Sequence, residues 1–188
     1  MSDEKLSAFL ASKKEDDDDA GEDVNPEEEV KGDWKAVDLP EVEVKTGEED
    51  KDLIFKSDGK LYRWNDEQWK ERGTGFFKLL RDKSTQKVTF VMRQNNTKKV
   101  VANFLVEEDP LCALVSHSGS DKAWIWMAHD YSDGQMLRQK FALRLGTPEK
   151  AQEFKSAFED AKNFNSCIKT GKPCVPAPVI EDTKTDTN

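Results

Sequence analysis

Residues 68–80 read QWKERGTGFFKLL: a tryptophan, a Lys-Glu-Arg triplet and two glycines one residue apart, all placed immediately before an apolar run. A strand built only for packing rarely combines these residues. The stretch is expected to be either a tight structural corner or a surface made for a partner. Around it, between Leu53 and Leu145, short alternating runs are punctuated by turn residues, the pattern of an all-β domain. Upstream, SDGKLYRW places a turn at Ser57–Gly59, then Leu61 and Arg63 on one face and Tyr62 and Trp64 on the other. Downstream, residues 76–106 predict three strands joined by turns at 82–86 and 94–97, the latter holding Asn95-Asn96-Thr97. AWIWMAHD and QKFALRLG predict two more, with Phe141, Leu143 and Leu145 in the strict alternation of a strand with one buried face.

The period then changes. Thr147 suits an N-cap, Pro148 the first helical position where its missing N–H costs nothing, and Glu149 the end that favours negative charge. Ala151, Phe154, Ala157, Phe158 and Ala161 follow helical spacing, which predicts a helix of about four or five turns with two phenylalanines facing inward. Gly171 and the segment GKPCVPAPV end regular structure. The fold class is therefore mainly β with one C-terminal helix. Seven short antiparallel strands form a pleckstrin-homology-like barrel or sandwich, its open end plugged by Phe154 and Phe158.

The 188 residues carry a formal net charge of −9, but the charge is divided. Residues 1–50 hold 19 acidic residues against 6 lysines, while residues 51–165 hold 16 acidic against 20 basic. The acid is nearly all in the arm. Residues 1–36, with the Asp16–Asp19 run and Glu27–Glu29, bury too little apolar surface to offset chain entropy and are expected to be a disordered acidic arm. Residues 37–165 form the domain, and 166–188 a flexible tail. Cys112, Cys167 and Cys174 are an odd number without a CxxC pair, and no apolar leader precedes the acidic run. A reducing compartment follows. No apolar run approaches the ~20 residues that span a bilayer.

Few residues offer chemistry. His117 and His129 are the only histidines, and pairing either with Cys112 would give a nucleophile and base. The plainer reading is a buried cysteine and two surface or turn histidines. Metal-ligand spacing, a P-loop, GxSxG and a dinucleotide fingerprint are all absent from the sequence. No enzyme, metal or cofactor is expected. Nucleic acid is a poor partner for an acidic arm that phosphates repel. Lys70, Arg72, Arg93, Lys98, Lys99 and Lys122 are either scattered solubility charges or one basic face. Trp64 with Trp69, and Trp124 with Trp126, divide between core filling and exposed interface aromatics.

WKERGTG at 69–75 followed by KLL at 78–80 resembles the signature of the Ran-binding domain family. LPEVEVKTGEED, FKSDGKLYRW, VMRQNNTKKVVANF, GSDKAWIW and FALRL resemble further blocks of that family, in order, over residues 37–165. The resemblance implies a pleckstrin-homology-like domain that binds the small GTPase Ran in its GTP form. It further implies that the domain captures Ran's acidic C-terminal extension while its own acidic arm embraces a basic patch on Ran. Ran's GTPase-activating protein and the export or import receptors are then met through Ran, with the protein itself a monomer when free. On this resemblance the arm contacts fall to Glu41 and Glu43, with Glu48, Glu49 and Asp50 behind them. Lys70, Arg72, Lys98, Lys99 and Lys122 hold the acidic extension, and Trp69, Gly73 and Gly75 build the corner that presents them. Lys122 stands where the family pattern leads one to expect arginine, which keeps the charge without the bidentate fork. NDEQ before the signature is short, and CVPAPVIEDTKTDTN lacks the spaced apolar residues of a leucine-rich export segment. A cytoplasmic location is expected, with a nuclear one open as well. The alternative is a pleckstrin-homology-type adaptor for phosphoinositides, with Lys70, Arg72 and Lys98 on the phosphates, or for a peptide.

Overall fold

The computed structural model describes residues 46–180. The acidic arm, Glu41 and Glu43 lie outside the described residues. Seven strands follow in chain order: β1 (Lys51–Asn65), β2 (Gln68–Asp82), β3 (Val88–Gln94), β4 (Val100–Leu105), β5 (Val115–Ser116), β6 (Ala123–Asp130) and β7 (Leu137–Arg144). Among the described residues one helix, α1, covers Pro148–Thr170. All strand pairs are antiparallel, in the order β4-β3-β2-β1-β7-β6-β5, and a further β4–β6 pairing at Phe104 and Asp130 closes the sheet on itself. This is the pleckstrin-homology-like architecture expected.

The closing seam depends on one buried carboxylate. Asp130 Oδ1 accepts from the Asn103 N–H at 2.8 Å and Oδ2 accepts from the Ser132 hydroxyl at 2.5 Å. Tyr131 N–H donates to the Asn103 carbonyl at 2.8 Å, so backbone and side chain join the two strands together.

Two sequence expectations change here. Ser57–Gly59 is no turn: β1 runs through it, and Gly59 pairs with Gly75 across β2. A Cβ on Gly59 would sit 3.0 Å from Leu143 Cδ1 and 3.1 Å from the Arg144 carbonyl oxygen, so glycine serves close strand approach rather than chain reversal. Likewise the strands are not uniformly short. β1 and β2 are 15 residues each, because each forms two sides of the barrel, with a register shift between Leu61 and Tyr62.

The helix begins as predicted, with Thr147 Oγ1 accepting from the Lys150 N–H at 3.3 Å. It runs further than predicted, 23 residues to a left-handed cap at Gly171 with φ 67°. Its last turns have their own reason to form. Asn165, buried, accepts from the Val88 N–H at 2.7 Å and donates to the Val88 and Val106 carbonyls at 2.8 and 2.7 Å, bonding α1 to the barrel wall. Ala151, Phe154, Phe158 and Ala161 face inward as expected. Phe154 lies edge-on to Phe77, with ring centroids 5.3 Å apart, and 5.2 Å from Phe158, which in turn packs against Trp126 at 5.6 Å. Such contacts add ~1 kcal/mol each to the area they bury. Trp124 and Trp126 both fill the core, and Trp124 Nε1 donates to the Ala151 carbonyl at 2.8 Å.

The segment after the helix has no regular secondary structure yet is held. Ile180 N–H donates to the Leu53 carbonyl at 2.7 Å, and Arg81 Nη1 donates to the Ala177 carbonyl at 3.4 Å. Cys174 and Ala177 pack on the core. The expected tail thus begins with one more turn of helix and a docked strip, while residues 181–188 lie outside the described residues.

Candidate protein-binding site

The β1–β2 hairpin turns on Asp66 and Glu67, both with positive φ (50° and 59°), as a tight two-residue turn requires. NDEQ is short for that reason. The turn sets Trp64 opposite Trp69, and their rings meet edge-on at 5.0 Å. Lys140 Nζ lies 5.3 Å from the Trp64 ring and 5.5 Å from the Trp69 ring, a cation held over two aromatics. With Trp64 39% exposed, this is the aromatic pair that faces solvent.

The signature holds no chain reversal: Gly73 and Gly75 lie within β2, Trp69 is its second residue beside the hairpin turn, neither glycine has positive φ, and the register shift opposite Leu61 and Tyr62 falls at Arg72. A Cβ at Gly75 would come 2.0 Å from the Arg93 carbonyl oxygen, and one at Gly73 would come 3.3 Å from Val101 Cγ1. Both glycines let neighbouring chain approach β2 closely, and Trp69 pairs across the hairpin.

The expected cations separate into four places. Lys70 is bound by Asp66 within the hairpin. Arg72 is committed to Asp133 on the β6–β7 loop, and Arg63 donates to the same carboxylate at 2.8 Å. Those hydrogen bonds, Arg63's first, hold the Asp133 carboxyl below its ordinary range against a smaller opposing effect of burial. Lys98 and Lys99 project from the β3–β4 turn, Lys98 with φ 55°, and both are exposed. Lys122 is half-buried before β6, fixed through its carbonyl, which accepts from the Leu145 N–H at 2.8 Å.

Two adjoining crevices bring Lys98 and Lys122 toward one another, while Lys99 follows Lys98 on the turn and lines neither. One is lined by Lys98 with Glu48, Phe76, Arg93 and Asn95; the other, of 360 Å³, by Lys122 with Lys60, Tyr62, Asn95 and Arg144. They meet at Asn95. Lys98, Lys99, Lys122 and Arg144 make no ion pair among the described residues; Lys98, Lys122 and Arg144 line the two crevices, and Lys99 is exposed beside Lys98. Sequence reasoning missed Lys60, Tyr62 and Arg144. Arg144 was findable, since it sits between buried Leu143 and Leu145 and must therefore point outward.

Glu48 and Glu49 part company. Glu48 accepts from Arg93 Nε at 2.7 Å and from Lys78 Nζ at 3.3 Å, which fastens the approach to β1 across β2 and β3. Glu49 is exposed and accepts from the Thr46 N–H at 2.6 Å. Backbone N–H groups, its own foremost, lower its pKa. Cys112 and the histidines are not assembled for catalysis. Cys112 Sγ accepts from the Glu107 N–H at 3.2 Å, burial pushes its thiol up to about 12, and His129 Nδ1 lies 3.0 Å from Glu107 Oε2 instead.

A RanBP1 domain model matches residues 43–164. The chain is 42% identical over 126 residues to Ran-binding protein 1 homolog c of Arabidopsis thaliana, covering 66% of this chain and 57% of that protein. It is 40% identical over 134 residues to the Ran-specific GTPase-activating protein homolog of Dictyostelium discoideum, covering 68% of each. It is 38% identical over 159 residues to the E3 SUMO-protein ligase RanBP2 of Drosophila melanogaster, covering 84% of this chain but 6% of that much longer protein. Among solved structures, the Ran binding domain of the nuclear complex component Nup2 from Ashbya gossypii shares the fold, with a TM-score of 0.52, 22% identity, and coverage of 62% of this chain and 99% of that one. The match spans all seven strands and most of the helix described above, and the chain belongs to the RanBP1 domain family.

Proposed function

We propose that this protein is a non-catalytic binding module for the small GTPase Ran. The observation that carries the reading is the family match across residues 43–164, which takes in the signature strand β2 and the barrel that supports it. The module prefers the GTP form because that state releases Ran's acidic C-terminal extension, and a ligand shifts an equilibrium only by its differential affinity. Lys98, Lys99 and Lys122, joined by Arg144, receive that extension: none makes an ion pair among the described residues, and Lys98, Lys122 and Arg144 line two crevices that meet at Asn95, with Lys99 next to Lys98 on the turn. Arg72 supports the site by holding the β6–β7 loop through Asp133. Glu41, Glu43 and Glu49 supply the acid that faces a basic patch on Ran. Glu48 is spent instead on Lys78 and Arg93, which hold the approach to β1.

In the cell this binding frees Ran from transport receptors and favours hydrolysis stimulated by Ran's GTPase-activating protein. Calorimetric titration into Ran loaded with a non-hydrolysable GTP analogue or with GDP, with and without the acidic extension, tests the reading. Tight binding that weakens on GDP loading or on loss of the extension is the expected outcome. Absence of heat with every form overturns it, and binding to phosphoinositide vesicles in its place would return the adaptor reading.

A further inference from the structure

Cys167 lies in the last turns of α1, and the left-handed cap at Gly171 reverses the chain so that Cys174 returns beneath the same helix. Gly171 N–H donates to the Ile168 carbonyl at 3.4 Å and Lys172 N–H to the Cys167 carbonyl at 3.1 Å, which fixes the reversal. Asp160, Asn163, Phe164 and Cys167 on the helix face Cys174 and the prolines beyond it across a crevice of 480 Å³. Both thiols border that one crevice, and the Cys174 thiol donates to the Lys172 carbonyl at 3.5 Å. Burial first, and then the Cys167 thiol beside it, raises the pKa of Cys174. Both cysteines are reduced and half-buried, unlike Cys112, which has no exposed surface.

We propose that Cys167 and Cys174 form a peroxide-sensitive dithiol site whose oxidation to an intramolecular disulfide staples the docked 174–180 segment to the end of α1. The Cys167 thiolate attacks one peroxide oxygen, an S–O bond forms, the O–O bond breaks and hydroxide leaves as water. The Cys174 thiol gives up its proton as its sulfur attacks the Cys167 sulfur: an S–S bond forms, the S–O bond breaks and the departing hydroxide takes up that proton as a second water. The thiols lose two electrons and two protons, and one peroxide becomes two waters. The staple constrains a strip that otherwise rests on the Ile180–Leu53 hydrogen bond, the Arg81–Ala177 contact and packing against the core.

The test treats the full chain with hydrogen peroxide, quenches it and maps tryptic peptides without reduction. Lys172 precedes proline and resists cleavage, so Asn163–Lys169 and Thr170–Lys184 should appear joined through sulfur. The titratable thiols should fall from three to one, Tm should rise by ~5 °C, and dithiothreitol should reverse both changes. C112S should behave as the parent, and C167S and C174S should each lose the link and the Tm rise. Three thiols surviving treatment, a link to Cys112 or to a second copy, or only sulfinic and sulfonic products would overturn the proposal.

Discussion

Gly73 and Gly75 lie two residues apart in β2, yet a methyl group would meet different surroundings at each. At Gly75 it would stand 2.0 Å from the Arg93 carbonyl oxygen, which is backbone and cannot move aside without parting β2 from β3. At Gly73 it would stand 3.3 Å from a Val101 methyl, which can yield by a few tenths of an ångström. Gly75→Ala is therefore expected to lose ~3 kcal/mol of stability and Gly73→Ala ~1 kcal/mol or less, measured by urea unfolding. Asn165 makes the complementary point for a polar residue. Asn165→Leu keeps the volume but strips the partners from the Val88 N–H and the Val106 carbonyl, and should cost ~2–4 kcal/mol. Equal stability of the leucine variant would mean that the barrel wall rearranges to satisfy those groups.

At the scale of the element, α1 is held by its buried face more than by its ends. Phe154 is fully buried and touches the rings of Phe55, Phe77, Phe90, Trp126 and Phe158. Phe154→Ala should cost ~3–5 kcal/mol, whereas Thr147→Ala, which removes one N-cap acceptor, should cost ~1 kcal/mol. Thermal melts of the two variants decide the order. The reverse order would mean that the helix plugs the barrel loosely. Contacts of the helix and of the strands respond to acid in the same direction. Hydrogen bonds from Arg63, Lys150, Lys60 and Lys169 are the first cause lowering the pKa of Asp133, Asp58, Glu71 and Glu108, respectively. A carboxyl whose folded pKa is depressed adds stability that is fully present above its unfolded pKa. That stability is lost as pH falls through the folded value, so Tm should hold steady above about pH 5 and decline below it. Because Asp133 joins β1 and β2 to the β6–β7 loop, D133N should flatten part of that decline.

For the whole molecule, the division of charge makes a kinetic prediction. Residues 1–50 carry 19 acidic residues against 6 lysines, and residues 51–165 carry 16 against 20 basic. If Ran binding proceeds as proposed, removing residues 1–36 should slow association ~10-fold at low ionic strength and change it little near ~0.5 M salt, where charges more than a few ångströms apart are screened. Stopped-flow mixing at the two salt concentrations measures this. K98E and K99E together should weaken the equilibrium affinity at both, since they reverse charge at the contact rather than along the approach.

The sequence by itself determined the elements whose causes are local. The helix start at Thr147-Pro148, its inward phenylalanines, the turn at Asn95–Thr97 and the one-faced alternation of Phe141, Leu143 and Leu145 all follow from the periods and caps of neighbouring residues. An ordered set of family blocks added the fold and its kinship. What only the tertiary structure decided are matters of long-range approach. Gly59 reads as a turn until β7 is seen pressing on it, and the signature glycines read as a corner until β3 and β4 are seen lying against β2. Arg72 looks like a free cation until the β6–β7 loop delivers Asp133, while Arg144 and Lys122, remote from the signature in the chain, reach its neighbourhood because β7 pairs with both β1 and β6. Local propensity is written in consecutive residues; which charge is spent on an internal partner and which is left for an external one depends on contacts between strands far apart in sequence, and those exist only once the barrel has closed.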